Sequence, residues 1–228
     1  MATYKYDTHV HTSEVSPCGK VNALELVKLY KAAGYDGLVV TDHYCDEYFY
    51  SLDGLSWEEK IDMYLSGYRT ALAEGQRIGL EVILGIELRF SENENDYLVY
   101  GIDESFLKKY KELYKLGIKR FRKMTSGMDI LIYQAHPFRS WIEPVDPALL
   151  DGVEVFNGNP RQDNMNHKAL SFAKKHNLKM ISGSDFHRKE DLARGGIIIP
   201  RKVKTSAELV QLLRNDEVLG LIEPDSVS

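Results

Sequence analysis

Few cysteines, no long apolar run and no excess of basic charge set the first limits on this chain of 228 residues. Cys18 and Cys45 are the two cysteines; they form no CxxC pair and are too few for a disulfide scaffold, which suits a reducing compartment. No uninterrupted apolar stretch approaches the roughly 18 residues a membrane helix needs. The opening Met1-Ala2-Thr3-Tyr4-Lys5-Tyr6 enters a polar motif at once, so no signal peptide and a cytoplasmic location are expected. With 29 Lys and Arg against 34 Asp and Glu, the formal charge is −5. A mildly acidic protein has little general affinity for nucleic acid or anionic membranes, so nucleic acid is expected only as a substrate. No Pro/Gly/Ser-rich linker or low-complexity tract divides the chain, and residues 1–228 read as one domain. Nothing in the sequence sets an oligomeric state.

What is present is an alternation of short apolar strands and helices of period 3.6. Tyr4–Val10 and Asp36–Thr41 read as strands around a helix that opens on Asn22 and stops at Gly34. Ser56-Trp57-Glu58-Glu59 is a capping box that predicts one long helix to about Ile78. Glu81–Leu88 reads as the next strand, Ser91–Asp96 as a polar turn and Tyr97–Ile102 as its hairpin partner. An amphipathic helix is expected over Phe106 to about Met124, its eight Lys and Arg between 108 and 123 forming a solvated outer face. Asp129–Ala135, Gly152–Phe156, Lys179–Ser182 and Gly195–Ile199 complete the strands. Helices follow over Asn164–His176 and after Thr205-Ser206-Ala207-Glu208. Alternating βα units without a composition break predict an α/β fold with a closed or nearly closed parallel barrel.

Five of the seven histidines lie in four polar knots, each placed after a strand. They are Asp7-Thr8-His9-Val10-His11-Thr12, Thr41-Asp42-His43, Ala135-His136-Pro137 and Ser184-Asp185-Phe186-His187. Imidazole and carboxylate in such pairs are ligands for divalent transition metals. In a parallel barrel the carboxyl ends of all strands open on one face, so these knots and Glu87, late in its strand, should converge. His9 and His11, two apart on a strand, point to the same side, and Asp185 and His187 repeat that spacing. Any one of these histidines, His136 above all, could be a hydrogen-bonded loop residue; the combined His-x-His and Asp-x-His pattern points to metal.

The ordered set Asp-x-His-x-His-Thr at 7–12, Thr-Asp-His at 41–43, Glu87, Ala-His-Pro at 135–137 and Gly-Ser-Asp-x-His at 183–187 resembles the PHP (polymerase and histidinol phosphatase) family. The resemblance runs from Asp7 to beyond His187. It implies a distorted (β/α)7 TIM-like barrel that holds two or three divalent ions (Mn, Zn or Fe) and hydrolyses phosphoesters. It also implies that His9, His11, Glu87 and Asp185 hold one ion, that Glu87 bridges to a second with His136, and that His43 and His187 hold a third. His9, His11, Glu87, His136, Asp185 and His187 would then carry the catalysis. Asp7 and Asp42 would orient neighbouring imidazoles, although a capping role serves nearly as well. Relatives often carry a further His after His-x-His, for which Glu14 is the substitute chosen here. They often carry another near the hairpin strand, where Asp96 stands.

Two ions about 3.5–4 Å apart and bridged by a carboxylate can share a hydroxide, the nucleophile for attack on the phosphorus of a small mono- or diester. Fixed cations should hold the phosphate: Arg161 first, then Arg139, Arg188 and Lys20, each of which taken singly reads as an ordinary surface residue. Cys18 could ligate zinc, yet without a CxxC partner both cysteines read as small packed residues. The aromatic run Tyr44, Tyr48, Phe49 and Tyr50 either walls the pocket or packs a loop. Two rival functions remain: an amidohydrolase-type carbon–nitrogen hydrolase, which usually has a modified lysine as bridge, and a non-catalytic PHP scaffold module of the kind attached to polymerases.

Overall fold

The computed structural model describes residues 2–223. The chain runs through β1 (Tyr4–Val10), α1 (Ala23–Ala32), β2 (Gly37–Val40), β3 (His43–Tyr44), α2 (Asp46–Tyr50), α3 (Trp57–Tyr64) and α4 (Ser66–Ile78). It continues with β4 (Glu81–Leu84), β5 (Ile86–Arg89), β6 (Asp96–Tyr100), α5 (Glu104–Lys109), α6 (Ile118–Met124), β7 (Leu131–Gln134) and β8 (Gly152–Asn157). The last elements are α7 (Asn166–His176), β9 (Lys179–Gly183), β10 (Gly196–Ile199), α8 (Ser206–Arg214) and β11 (Gly220–Ile222).

Helix starts follow side-chain chemistry. Asn22 accepts the Glu25 N–H at 2.9 Å, and Thr205 accepts that of Glu208 at 3.1 Å. Ser56 and Glu59 close a reciprocal capping box. Two expected long helices are broken. Leu65, with ψ near 1°, separates α3 from α4. The 106–124 segment is split into α5, a 3₁₀ turn at Leu113–Lys115 and α6, because Glu112 takes a left-handed conformation at φ 51°. The expected strand Glu81–Leu88 is also divided. A Cβ on Gly85 would lie 3.0–3.3 Å from Val39, Thr41 and Tyr100, so glycine lets the chain pass closely there and change sheets.

The strands form two sheets, ordered β11-β10-β1-β2-β4 and β3-β5-β6-β7-β8-β9. Both are mixed: β10 is antiparallel to β1, and β6 is antiparallel to β5 and β7. The expected closed parallel barrel is therefore not what forms. The hairpin β5–β6 and the returning β10 reverse direction where a βα repeat would keep it, and the sheets remain separate. They approach at an isolated bridge between Val10 and Phe186 and at the passage from β4 to β5. One apolar core takes side chains from both sheets, including Tyr6, Val39, Ile83 and Ile197 from the first and Leu98, Tyr133 and Ile181 from the second, with α8 packed on it. A second core under α1 and α4 covers the outer face of β1, β2 and β4. Tyr44 and Phe49 are fully buried in a third core with Trp57 and Tyr64, so these members of the aromatic run pack the fold. No described helix is long and apolar enough to cross a membrane.

Tyr6 locks β1 to the segment after β10. Its buried hydroxyl donates to the Val203 carbonyl at 2.9 Å and accepts the Val203 N–H at 3.1 Å. Tyr6→Phe removes both partners of a buried peptide, and urea unfolding should show a loss of about 1–3 kcal/mol. An unchanged midpoint would contradict the structural weight given to this bond.

Candidate metal centre

Six chain segments deliver polar side chains to one buried space. His9 lies in β1 and His11 just beyond it, both with no solvent exposure. His43 begins β3, Glu87 lies in β5, and Asp96 opens β6 directly across the ladder from Arg89. His136 follows β7, and Asp185 and His187 follow β9. Glu87 is at the centre. Its Oε1 lies 3.2 Å from His9 Nε2 and 3.1 Å from His136 Nε2, while its Oε2 lies 3.4 Å from His11 Nε2 and 2.7 Å from His43 Nδ1. Asp185 Oδ1 stands 3.5 Å from the Nε2 atoms of both His9 and His11.

The imidazoles are oriented from behind. His9 Nδ1 meets Glu154 Oε1 at 2.9 Å, leaving Nε2 to face the centre. The other Glu154 oxygen accepts the His136 N–H at 3.0 Å, so one buried carboxylate fixes two of the histidine segments. Sequence reading missed Glu154; its signal was an acid inside the apolar run Val153–Phe156. Gly183 permits this packing, since a Cβ there would lie 2.4 Å from His9 Cβ and 2.7 Å from Glu154 Oε1. Asp42 accepts the Thr12 N–H and the Ser16 hydroxyl, and Ser16 Oγ lies 3.2 Å from His11 Nδ1. Asp42 therefore acts on His11 through Ser16. Asp7 does not touch an imidazole as expected. It accepts the N–H groups of His9 and Ser184 and the Tyr30 hydroxyl, holding the ends of β1 and β9 together. His136 and Asp185 adopt left-handed backbone at φ 29° and 53°. Such conformations cost roughly 1–3 kcal/mol each and persist only where the surroundings enforce them.

Electrostatics match a cation site. Burial works against charge on His9, but Glu154, Glu87 and Asp185 outweigh it and hold the imidazole pKa well above its ordinary value. His43 is raised in the same way by Glu87, against its burial. His187 is raised to about 10, with Asp185 overcoming the cost of burial. His11 goes the other way, held well below the usual range by burial and by its neighbours His187 and His43. Burial would raise Glu87 and Asp185, yet the facing imidazoles, and Arg139 at Asp185, keep both well below the usual carboxylate range. His9 Nε2, His11 Nε2, Glu87 Oε2 and His136 Nδ1 are nevertheless buried without a well-formed hydrogen bond. Orphaned donor atoms of this kind are rare unless something else binds them. Four overlapping groups of three offer ligand atoms within 4.8 Å of one another: His9–His11–Glu87, His9–His136–Asp185, Glu87–Asp96–His136 and His11–His43–His187. The donor set fits divalent metal ions.

The flanking residues sort differently from expectation. Asp96 joins the group with Glu87 and His136, held by a two-pronged pair with Arg89 at 2.8 Å on each oxygen. Glu14 does not reach the centre, because both of its oxygens accept the Ala23 N–H at the start of α1. Lys20 does not face it either; its ammonium turns back to the Pro17 carbonyl. Arg161, the first choice for phosphate, is paired through both terminal nitrogens with buried Asp191. Arg139 is bound by Asn157, Asn164 and Asp185. Both still line the cavity of about 230 Å³ over the centre, beside Trp141, Asn159 and Arg188. Arg188 is the least engaged of the three, 3.9 Å from Glu190 and with its side chain 47% exposed.

Comparisons with known proteins bear on the fold. A family model described as PHP-associated (PHP_C) matches residues 164–218, from just before α7 to just after α8. A two-domain protein from Bacteroides vulgatus containing a predicted PHP-like metal-dependent phosphoesterase superposes with a TM-score of 0.67 at 18% identity. The match covers 95% of this chain and 64% of that one, so this chain spans just under two thirds of that protein. PsfC from Pseudomonas syringae gives a TM-score of 0.65 at 18% identity, over 92% of this chain and 88% of its own. An amidohydrolase from Chromobacterium violaceum, solved with sulfate and no metal, gives 0.51 at 17% identity over 94% and 97%. No curated protein matches the chain. The family model matches 164–218 alone, and the superpositions at 17–18% identity show a shared fold.

Glu154→Gln keeps the shape of the support behind His9 and removes its charge. Metal affinity, followed by titration into chelator-treated protein, should fall about 10–100-fold with the circular dichroism spectrum unchanged. Unaltered affinity would show that Glu154 does not tune His9.

Proposed function

We propose that the protein is a metal-dependent phosphoesterase acting on a small phosphate mono- or diester. The observation that carries this reading is the buried carboxylate of Glu87 set among four imidazoles, two of which, His9 and His11, turn unpartnered Nε2 atoms toward it. His9, His11, Glu87 and Asp185 would hold one ion, Glu87, His136 and Asp96 a second, and His43 and His187 a third. Divalent ions so held supply an activated water near neutral pH and neutralise phosphoryl oxygens.

The chain's own residues do the rest. Glu154 and the Ser16–Asp42 pair fix the ring orientations of His9 and His11. Arg139 occupies the second oxygen of Asp185, which restricts that carboxylate to one oxygen toward the centre. Arg188, on the cavity wall and weakly engaged, is the group best able to grip the phosphate. The carbon–nitrogen hydrolase reading draws on the amidohydrolase of similar fold. The donor set favours the phosphoesterase, because a glutamate occupies the bridging place and no lysine is among the described residues lining the cavity.

Protein reconstituted with Mn, Zn or Fe(II) should release phosphate from at least one member of a panel of mono- and diesters, and Glu87→Gln should lower turnover by about 10²-fold or more. The raised pKa values of His9, His43 and His187 mean that protons occupy the metal-free site at neutral pH. Metal must displace those protons, so activity at fixed, limiting metal should fall progressively as the pH drops from the alkaline range, where His187 at about 10 begins to take up its proton, toward pH 5. A flat panel with metal bound, or full activity at pH 5, would reject the reading. Arg188→Ala should raise KM more than it lowers kcat; unchanged kinetics would remove Arg188 from phosphate binding.

A further inference from the structure

The pair His43 and His187 brings no carboxylate of its own, so a divalent ion there would have two neutral imidazoles and, for charge balance, only the neighbouring Glu87 and Asp185, which also face the first ion. Cys18 lies beside it. Its Sγ is 3.2 Å from His43 Nε2, and its thiol also faces the His187 imidazole. Because His187 Nδ1 is engaged by the Asp185 carbonyl at 2.9 Å, its Nε2 is the nitrogen left for a ligand.

The loop that carries Cys18 is tied down rather than loose. Ser13 N–H donates to the Val21 carbonyl, Ser16 N–H to that of Thr12, and Gly19 N–H to that of Ser16. Lys20 N–H donates to the His187 carbonyl at 2.7 Å, stitching this loop directly to the segment that bears His187. The thiol is thereby presented to the two imidazoles by backbone bonds on both sides.

We propose that Cys18, as its thiolate, is the anionic ligand of an ion held by His43 and His187. It takes the place that Glu14, committed to the start of α1, does not fill. This rests on reading the centre as metal-binding and not on the identity of the substrate. Two imidazoles and a thiolate form a borderline-soft set suited to zinc or iron(II) rather than magnesium. A CxxC partner is unnecessary because distant strands supply the other donors.

The test is a cobalt(II) titration of the chelator-treated full chain, followed by absorption and by metal content after desalting. Wild-type protein should develop a sulfur-to-cobalt charge-transfer band in the near ultraviolet. Cys18→Ser should lose the band and one equivalent of metal, Cys18→His should regain the equivalent without the band, and Cys45→Ser should keep both. Equal metal content in wild type and Cys18→Ser with no band in either would overturn the thiolate ligand and leave the metal centre standing. A band that persists in Cys18→Ser would also overturn it. Failure of every form to bind cobalt would overturn both this assignment and the metal-centre reading.

Discussion

Glu87 is 1% exposed, and its two oxygens lie within 3.4 Å of four imidazoles drawn from three separate segments of the chain. A buried carboxylate without compensating positive charge is expensive, and so is a cluster of close imidazoles without a carboxylate. Each half of the centre therefore makes the other tolerable. Asp185 repeats the arrangement at a smaller scale, with Arg139 on one oxygen and His9 and His11 near the other.

The two-sheet architecture brings these groups together. Crossing the Gly85 passage moves the chain from the first sheet to the second, which places Glu87 opposite the end of β1. The Val10–Phe186 bridge then holds the Asp185 turn against the same strand end. Backbone strain at His136 and Asp185 is concentrated where Glu154, Asn159 and the β1 end can enforce it. Rigidity behind the ligands, supplied by Glu154, Asp42 and Asp7, leaves the donor atoms facing inward without partners of their own.

Much of this was legible in the sequence, and the failures have physical causes. Side-chain caps at Asn22, Ser56 and Thr205 fix helix starts locally, so those were readable. Apolar runs gave the strands, but periodicity carries no information on direction, and the antiparallel β6 and β10 escaped it. Glu81–Leu88 looked like one strand because Gly85 changes sheets by a close packing contact that only tertiary structure reveals. The histidine knots converged because strand ends do, whether or not the sheet closes. Glu14 and Lys20 looked chemically suitable yet were drawn away by backbone groups next to them. Arg161 looked free because its partner, Asp191, lies 30 residues away. Glu154 goes unnoticed inside an apolar run, and Cys18 is set aside for want of a CxxC partner, because neither pattern carries the long-range position of the side chain.

The most direct measurement is anomalous diffraction from crystals of the protein grown with zinc or manganese. The account predicts at least two strong peaks roughly 3.5–4 Å apart on either side of the Glu87 carboxylate. No anomalous density among His9, Glu87, His136 and Asp185, under conditions where the protein is folded and metal is in excess, would contradict it.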